Sequence, residues 1–224
     1  MVNISINSIN RAVPAPLRIG DRIRRTGHYK QAAVAPVRIE TEGVVGDFIG
    51  NLKHHGGADQ ALYLYSLTDN RWWARLLGCE VSPGFFGENL TLDEWWPRPR
   101  VGDRLRCGEV LLELTGPRTP CATLEARAGV KGLSREFVRA ERCGAYARVL
   151  QMGSISPGDE CEVIAAPSDF PEIVEVFRYW HARGEDVDFL QRALAAPLAV
   201  RIADVFQSRL ARCQSAQSNV KRIT

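Results

Sequence analysis

The sequence predicts a mainly β protein: a closed or nearly closed barrel with a few peripheral helices, followed by a small C-terminal three-helix unit. Three observations lead there. From Met1 to about Ile164, Gly and Pro recur every few residues with short alternating or apolar runs between them, the texture of strands joined by turns. Many short strands with few helices leave exposed edges unless the sheet closes on itself. Beyond Ala165-Ala166-Pro167-Ser168 the apolar spacing changes to a helical repeat. The expected division is residues 1–164 for the barrel, 165–214 for the helices and 215–224 for a flexible polar tail.

The elements follow in chain order. Residues 1–7 alternate apolar and polar side chains and open a first strand over Ile4–Ile9; they lack the basic flank and continuous apolar run of a signal peptide. Further strands are expected at Val37–Ile39, Ala61–Ser66, Arg104–Cys107, Val110–Thr115, Tyr146–Leu150 and Asp159–Ile164, with a tight hairpin at Cys107-Gly108-Glu109-Val110. Two helices interrupt them, Thr68–Leu77 capped by Thr68 or Asp69 and Gly132–Arg139 capped by Ser134. After the linker, Asp169 caps a helix with Pro171 in its first turn and Ile173, Val176, Phe177 and Trp180 on one face, ending at Gly184. Val187, Leu190 and Leu194 mark a second helix; Pro197 opens a third that carries Leu198, Ile202, Val205, Phe206 and Leu210. Helices this short bury too little to stand alone, so they are expected to pack on each other and on the barrel or a second subunit, as in a homodimer.

Composition narrows the function classes. Of 224 residues 45% are hydrophobic and 25% charged, which suits one large globular domain or a domain with an appendage. Lys+Arg 29 against Asp+Glu 26 leaves a formal charge of +3, too small and too evenly spread for a nucleic-acid groove, so any anionic partner must be met locally. No uncharged apolar stretch approaches the ~20 residues of a membrane-spanning helix. The six cysteines, Cys79, Cys107, Cys121, Cys143, Cys161 and Cys213, contain no C-x-x-C pair, which argues against a zinc or iron–sulfur site and, with a cytoplasmic location, for reduced thiols.

Three segments carry chemically capable groups. In Gly116-Pro117-Arg118-Thr119-Pro120-Cys121, an apolar strand ends in prolines and the thiol stands before a helix, where backbone N–H groups and the Arg118 guanidinium favour thiolate, a nucleophile or soft-metal ligand; otherwise Cys121 is simply a small buried hydrophobe. In Lys53-His54-His55-Gly56-Gly57, cationic donors precede a Gly-Gly turn at which the backbone can approach a phosphate closely, the alternative being a solvated turn. Adjacent histidines on an extended chain point to opposite sides, which disfavours a shared metal. Phe86-Gly87-Glu88-Asn89 is a Gly-hinged loop entering a strand, where Asn89 either holds a ligand or closes an Asx turn. Trp72-Trp73 and Trp95-Trp96 read as core and rim aromatics. The common hydrolase, zinc-protease and nucleotide-loop signatures do not occur.

Lys53-His54-His55-Gly56-Gly57-Ala58-Asp59-Gln60-Ala61-Leu62, Phe86-Gly87-Glu88-Asn89-Leu90, Val101-Gly102-Asp103, Pro117-Arg118-Thr119-Pro120-Cys121 and Gly158-Asp159, in that order, resemble the MOSC domain family, named for the C-terminal domain of molybdenum cofactor sulfurase. The C-terminal helices resemble the three-helix (3-alpha) domain of one bacterial branch. The resemblance implies a barrel that holds a molybdenum–molybdopterin cofactor, with Cys121 as catalytic thiol and protein ligand to the metal. It places Lys53, His54, His55, Gly56, Gly57, Asn89 and Thr119 at the cofactor and Arg118 at its phosphate. Related members reduce N-hydroxylated compounds of the hydroxylaminopurine and amidoxime type, which implies a detoxifying oxidoreductase. The amidoxime-reducing branch has Arg-Pro-Asn where this chain has Gly87-Glu88-Asn89, so an acidic residue replaces a cationic contact. This chain also lacks the cysteines of a fused ferredoxin, so a separate flavin or iron–sulfur reductase is the implied electron donor. Two other readings stand beside this one: a non-catalytic carrier of sulfur or molybdenum cofactor on Cys121, and a Cys–His hydrolase or transferase with His54 or His55 as base.

Overall fold

The computed structural model describes residues 3–34, 36–51, 55–182 and 186–220. Strand β1 (Asn3–Arg11) buries Ile4, Ile6 and Ile9 while Asn3 and Asn7 face solvent, as its alternation requires. It is followed by a hairpin of β2 (Ala15–Ile19) and β3 (Arg22–Thr26), the short strands β4 (Gln31–Ala32), β5 (Val37–Glu40) and β6 (Gly43–Val44), and a 3-10 turn at Ala58–Gln60. Then come β7 (Leu62–Ser66), α1 (Leu67–Leu77), β8 (Leu90–Leu92), β9 (Arg104–Cys107), β10 (Val110–Pro117), α2 (Ala122–Ala128) and α3 (Leu133–Ala140). Strands β11 (Ala145–Gln151), β12 (Gly153–Ile155) and β13 (Glu160–Ile164) precede the helices α4 (Ile173–His181), α5 (Val187–Leu194) and α6 (Val200–Val220).

The central sheet runs β13-β9-β10-β11-β7-β8-β1, and β1 also pairs with β13, so these strands close into a barrel. Closure depends on β1 serving two neighbours: Asn3–Ser5 pairs with β13, and after a register shift between Ile6 and Ser8 the rest pairs with β8. All ladders of the ring are antiparallel except β7–β8, whose ends are joined through α1. Leu62, Leu64, Leu90, Leu105, Leu112 and Leu114 are fully buried in the barrel core. Outside it, Trp73 and Phe137 stack at 5.9 Å between ring centroids and tie α1 to α3.

Several local expectations are corrected. Helix α1 is capped by Ser66, whose side chain accepts from the Asp69 N–H at 3.0 Å, and not by Thr68 or Asp69. Gly132 stands at the N-cap of α3 in place of Ser134; the Gly132 and Ser134 amides donate to the Glu125 carboxylate instead. Helix α4 is capped by Glu172, in a Glu172/Glu175 capping box, three residues beyond the predicted Asp169 cap, because the Pro171 and Pro99 carbonyls accept from Val101 and Ile173 in a bridge to the barrel. Helix α6 runs on to Val220, while Gly184 lies outside the described residues. Cys107 and Cys161 are joined as a disulfide, contrary to the reduced-thiol expectation: the β9–β13 register sets them directly opposite each other, with Cα atoms 4.2 Å apart. No helix among the described residues is long and apolar enough to cross a membrane.

The C-terminal helices are seated on the barrel. Ala199 donates to the carbonyl of Thr115 on β10 at 2.9 Å, and Arg148 on β11 donates to the carbonyls of Pro197 and Leu198, each at 3.2 Å. Within the helices, Tyr179, Phe189 and Phe206 form an aromatic cluster with centroids 4.4 to 6.1 Å apart.

Candidate functional site

Strand β10 ends at Pro117, and the loop that follows turns Arg118 inward before Cys121 takes the N-cap position of α2. Both residues line a cavity of about 560 Å³ at one end of the barrel. Around them stand His28 and Lys30 from the segment after β3, Asp47, His55 and Asn89, while Arg24 and Arg25 of the β2–β3 hairpin form an outer wall. Arginine and lysine side chains thus outnumber the single carboxylate, Asp47, which is already ion-paired with Lys30. The cavity is suited to an anionic ligand.

Arg118 carries the strongest evidence of an unfilled role. Its side chain is 4% exposed and lies over the rings of Tyr63 and Phe137, at 5.3 and 5.8 Å from their centroids. One of its terminal nitrogens, Nη2, donates to His28 Nε2 at 3.4 Å, which leaves the His28 proton on Nδ1. The other, Nη1, is buried and has no hydrogen-bond partner among the described residues. Burial works against the guanidinium charge, but Tyr63, Tyr146 and Cys121 outweigh it and hold the group firmly protonated. A buried cationic donor left unpaired is costly unless a ligand completes it.

The Cys121 thiol is drawn from an ordinary 9.0 down to about 6. Partial burial pushes it upward, but a hydrogen bond from His55, the charges of Arg118 and His55, and the Leu124 backbone N–H together prevail. At neutral pH Cys121 is therefore a thiolate. His55 Nδ1 in turn lies 3.4 Å from the Tyr146 hydroxyl, so thiol, imidazole and phenol form one chain of proton-bearing groups. Burial pushes the Tyr146 phenol up, only partly opposed by Arg118, so it stays protonated.

His28 is held neutral: burial, then the charges of Arg118 and Lys30, push its imidazole well below 6.5. Lys30 and Asp47 form a buried ion pair, and Asp47 also accepts from the Ala12 N–H at 2.8 Å and from Asn89 Nδ2 at 2.9 Å. Asn89 completes its bonding with the Tyr63 N–H and the Asn10 carbonyl, so its amide braces the cavity wall. Glu88 does not face the cavity. Its buried carboxylate accepts from the N–H groups of Gly84 and Phe86, at 2.6 and 3.0 Å, and from the Thr91 hydroxyl, stapling its own loop. Gly87 has to be glycine, since its φ is +83° and a Cβ there would stand 2.3 Å from His28 Nδ1.

Of the residues singled out in the sequence, Cys121, Arg118, Asn89, His55 and Gly56 line the cavity. Gly57 lies beside it, at the start of the 3-10 turn. Thr119 faces a second, smaller chamber of about 180 Å³ on the far side of Cys121, bounded by the C-terminal helices. Lys53 and His54 lie outside the described residues. His28, Lys30, Asp47, Tyr63 and Tyr146 join the site without having been predicted from the sequence.

The MOSC domain profile matches residues 51–162, half of the chain. The uncharacterized protein YflK of Bacillus subtilis is 32% identical over 162 residues, 72% of this chain and 73% of its own. The chain belongs to the MOSC domain family. Protein YiiM of Escherichia coli is 27% identical over 80% of this MOSC chain and 85% of its own. A Gibberella moniliformis protein named "Reductase" is 29% identical over 81% of this chain, which matches 33% of that longer protein. The crystal structure of YiiM from Geobacillus stearothermophilus superposes with a TM-score of 0.77 at 24% identity, covering 92% of this chain and 99% of that one. The mainly β barrel with appended helices is thus the fold of this MOSC protein.

Proposed function

We propose that this MOSC protein is a molybdenum-cofactor-dependent reductase of small N-hydroxylated compounds, of the hydroxylaminopurine or amidoxime type, supplied with electrons by a separate flavin or iron–sulfur protein. The observation that carries the reading is a single soft thiolate, Cys121, in a cavity of about 560 Å³ whose buried Arg118 retains an unused donor. Those residues fit a pterin-bound metal. Among the described residues no cluster of His, Cys, Asp and Glu forms a metal cage, and one thiolate suits a metal whose other ligands come with the cofactor. Cys121 would hold the molybdenum, and Arg118, with the neighbouring cationic side chains, would hold the phosphate. When bound, such a centre supplies the electron pair for cleaving an N–O bond.

This chain's own residues supply the rest. Converting N–OH to N–H consumes a pair of protons along with the electrons and releases water. His55, which favours the Cys121 thiolate and whose Nδ1 lies 3.4 Å from the Tyr146 hydroxyl, can hold and pass a proton between them. The Asp47–Lys30–Asn89 network fixes the wall opposite, and neutral His28 orients Arg118. The relative named "Reductase" supports the reaction class.

The test is reduction of a hydroxylaminopurine and an amidoxime by cofactor-loaded protein with a defined electron donor. Turnover that vanishes in Cys121→Ser is expected; full activity in that variant sinks the proposal. Turnover also separates this reading from the carrier alternative, which predicts none. The bond between His55 and Cys121 favours one further reading, thiol transfer chemistry with His55 as base. An acylating probe that traps Cys121 in the wild type but not in His55→Ala would support it.

A further inference from the structure

Strands β2 and β3 form a two-stranded sheet of their own beside the larger cavity, and Ile19, Arg24, Arg25 and Thr26 belong to its rim. The base of this hairpin is firmly held. Leu17 and Thr26 are buried, and α2, the helix that begins at Cys121, packs against β2. Gly27 and Gly50 bring the base into contact with residues 48–50 backbone to backbone: a Cβ on Gly27 would stand 1.6 Å from the Phe48 carbonyl oxygen, and one on Gly50 2.6 Å from that of Arg25.

Positive charge is concentrated there. Residues 15–26 carry Arg18, Arg22, Arg24 and Arg25 against Asp21 alone, a formal +3 equal to that of the whole chain, so all other residues together net zero. The four arginines are exposed, and none is ion-paired among the described residues. Across the hairpin they stand opposite Ile23, Ile19, Leu17 and Pro16, where carboxylates would have relieved their mutual repulsion. Arg24 and Arg25 border the cavity but Arg18 and Arg22 do not, so a ligand inside it leaves that pair unmatched. Ile23, 63% exposed, sits among them as an apolar centre in a charged rim, the pattern of a protein interface. A hairpin of this size offers a small contact area, which suits a transient electron-transfer encounter better than a stable complex.

We propose that the β2–β3 hairpin is the docking surface for the electron donor, a small flavin protein with an acidic surface around its cofactor. That the partner is a donor rests on the reductase reading; that the hairpin binds an acidic protein does not. Carboxylates of the partner meet the arginine forks, and the patch steers the flavin to the rim of the cavity that holds Cys121. A flavin can store both electrons that the reaction consumes. The reduced flavin is oxidised as N–OH takes up the electron pair with a pair of protons, giving N–H and water.

The test is binding of the full chain, purified from cofactor-competent cells, to immobilised flavodoxin, an acidic FMN protein, by surface plasmon resonance. Binding at low salt that disappears at about 1 M salt, where the screening length is about 3 Å, is expected. Arg18→Glu with Arg22→Glu should weaken it at least about tenfold, while Arg18→Lys with Arg22→Lys, which keeps the charge, retains most of it. Arg71→Glu with Arg75→Glu makes the same change of net charge at exposed positions on α1 and should stay within about twofold of wild type. No binding by the wild type at low salt, or equal losses in the hairpin and α1 reversals, overturns the proposal. So does tighter binding to phosphatidylserine vesicles or to a single-stranded oligonucleotide than to flavodoxin. Turnover driven by reduced methyl viologen, a small reductant that needs no docked protein, should be unchanged by the hairpin reversal while flavodoxin-driven turnover falls through KM. Equal loss with both reductants contradicts the proposal. Absence of turnover with either reductant in the wild type overturns the reductase reading and leaves the binding result standing.

Discussion

Replacing His55 by alanine should raise the Cys121 pKa, and the size of the rise follows from the site. Displacement from 9.0 to about 6 favours thiolate by about 4 kcal/mol, at about 1.4 kcal/mol per pKa unit. Partial burial pushes the other way, so the favourable contacts supply more than that net amount between them. The His55 hydrogen bond is the largest of these and Arg118 is next, with the His55 charge and the Leu124 amide behind. His55→Ala removes two of the four, and the thiol should rise by roughly one to two pH units, Arg118 still holding it below its ordinary value. The assay is the pH dependence of Cys121 alkylation by iodoacetamide, resolved by site because Cys79 is exposed and also free. Cys143 stays silent, since burial pushes its thiol far up. The midpoint is the readout; the plateau rate should itself increase, because a more basic thiolate is intrinsically more nucleophilic. A wild-type midpoint at the ordinary cysteine value, or an unmoved midpoint in His55→Ala, would refute the assignment of His55 as the thiolate's partner.

Three further outcomes follow from the cavity and the loop that braces it. Asp47→Ala strands Lys30 Nζ and the Ala12 N–H in a buried position, removes one of the two bonds of Asn89 Nδ2, and should cost about 3–5 kcal/mol in urea unfolding, whereas removal of an exposed ion pair such as Arg139–Glu136 should cost under about 1 kcal/mol. Glu88→Arg should destabilise the chain, because it orphans the Gly84 and Phe86 amides; a variant with wild-type Tm would contradict this. His28 has a folded pKa below its unfolded value near 6.5, so the unfolded chain takes up protons that the native state refuses. Stability from this group is intact above about pH 6.5 and falls as the pH drops through the folded value, and His28→Asn should flatten the urea-unfolding profile between about pH 7 and about pH 5.

Much of the barrel was legible because its strands obey local rules. The expected span Arg104–Cys107 coincides with β9, and the expected strand at Tyr146–Leu150 falls within β11, both being short runs bounded by turn residues. The β2–β3 hairpin went unpredicted although Gly20-Asp21 between alternating runs is a recognised turn signal; its four arginines masked the strand periodicity. At the site, Cys121 and Arg118 were recoverable because proline, thiol and helix start occur together in sequence. His28, Lys30 and Asp47 were not, since nothing local marks them and only the long-range pairing of β1, β4 and the Asn89 loop brings them together. Glu88 stands out only through the family comparison, and the left-handed Gly87 next to it goes with a carboxylate bonded back onto its own loop. The Cys107–Cys161 pairing depended on strand register, which spacing alone does not give.

Whether Cys121 holds molybdenum is decided by the molybdenum-to-protein ratio, measured by elemental mass spectrometry on protein from cofactor-competent cells with Cys121→Ser prepared alongside. Near-stoichiometric molybdenum is expected in the wild type, and its loss in the variant. Wild-type protein without molybdenum despite a confirmed cofactor supply, or a variant that keeps the metal, would contradict it.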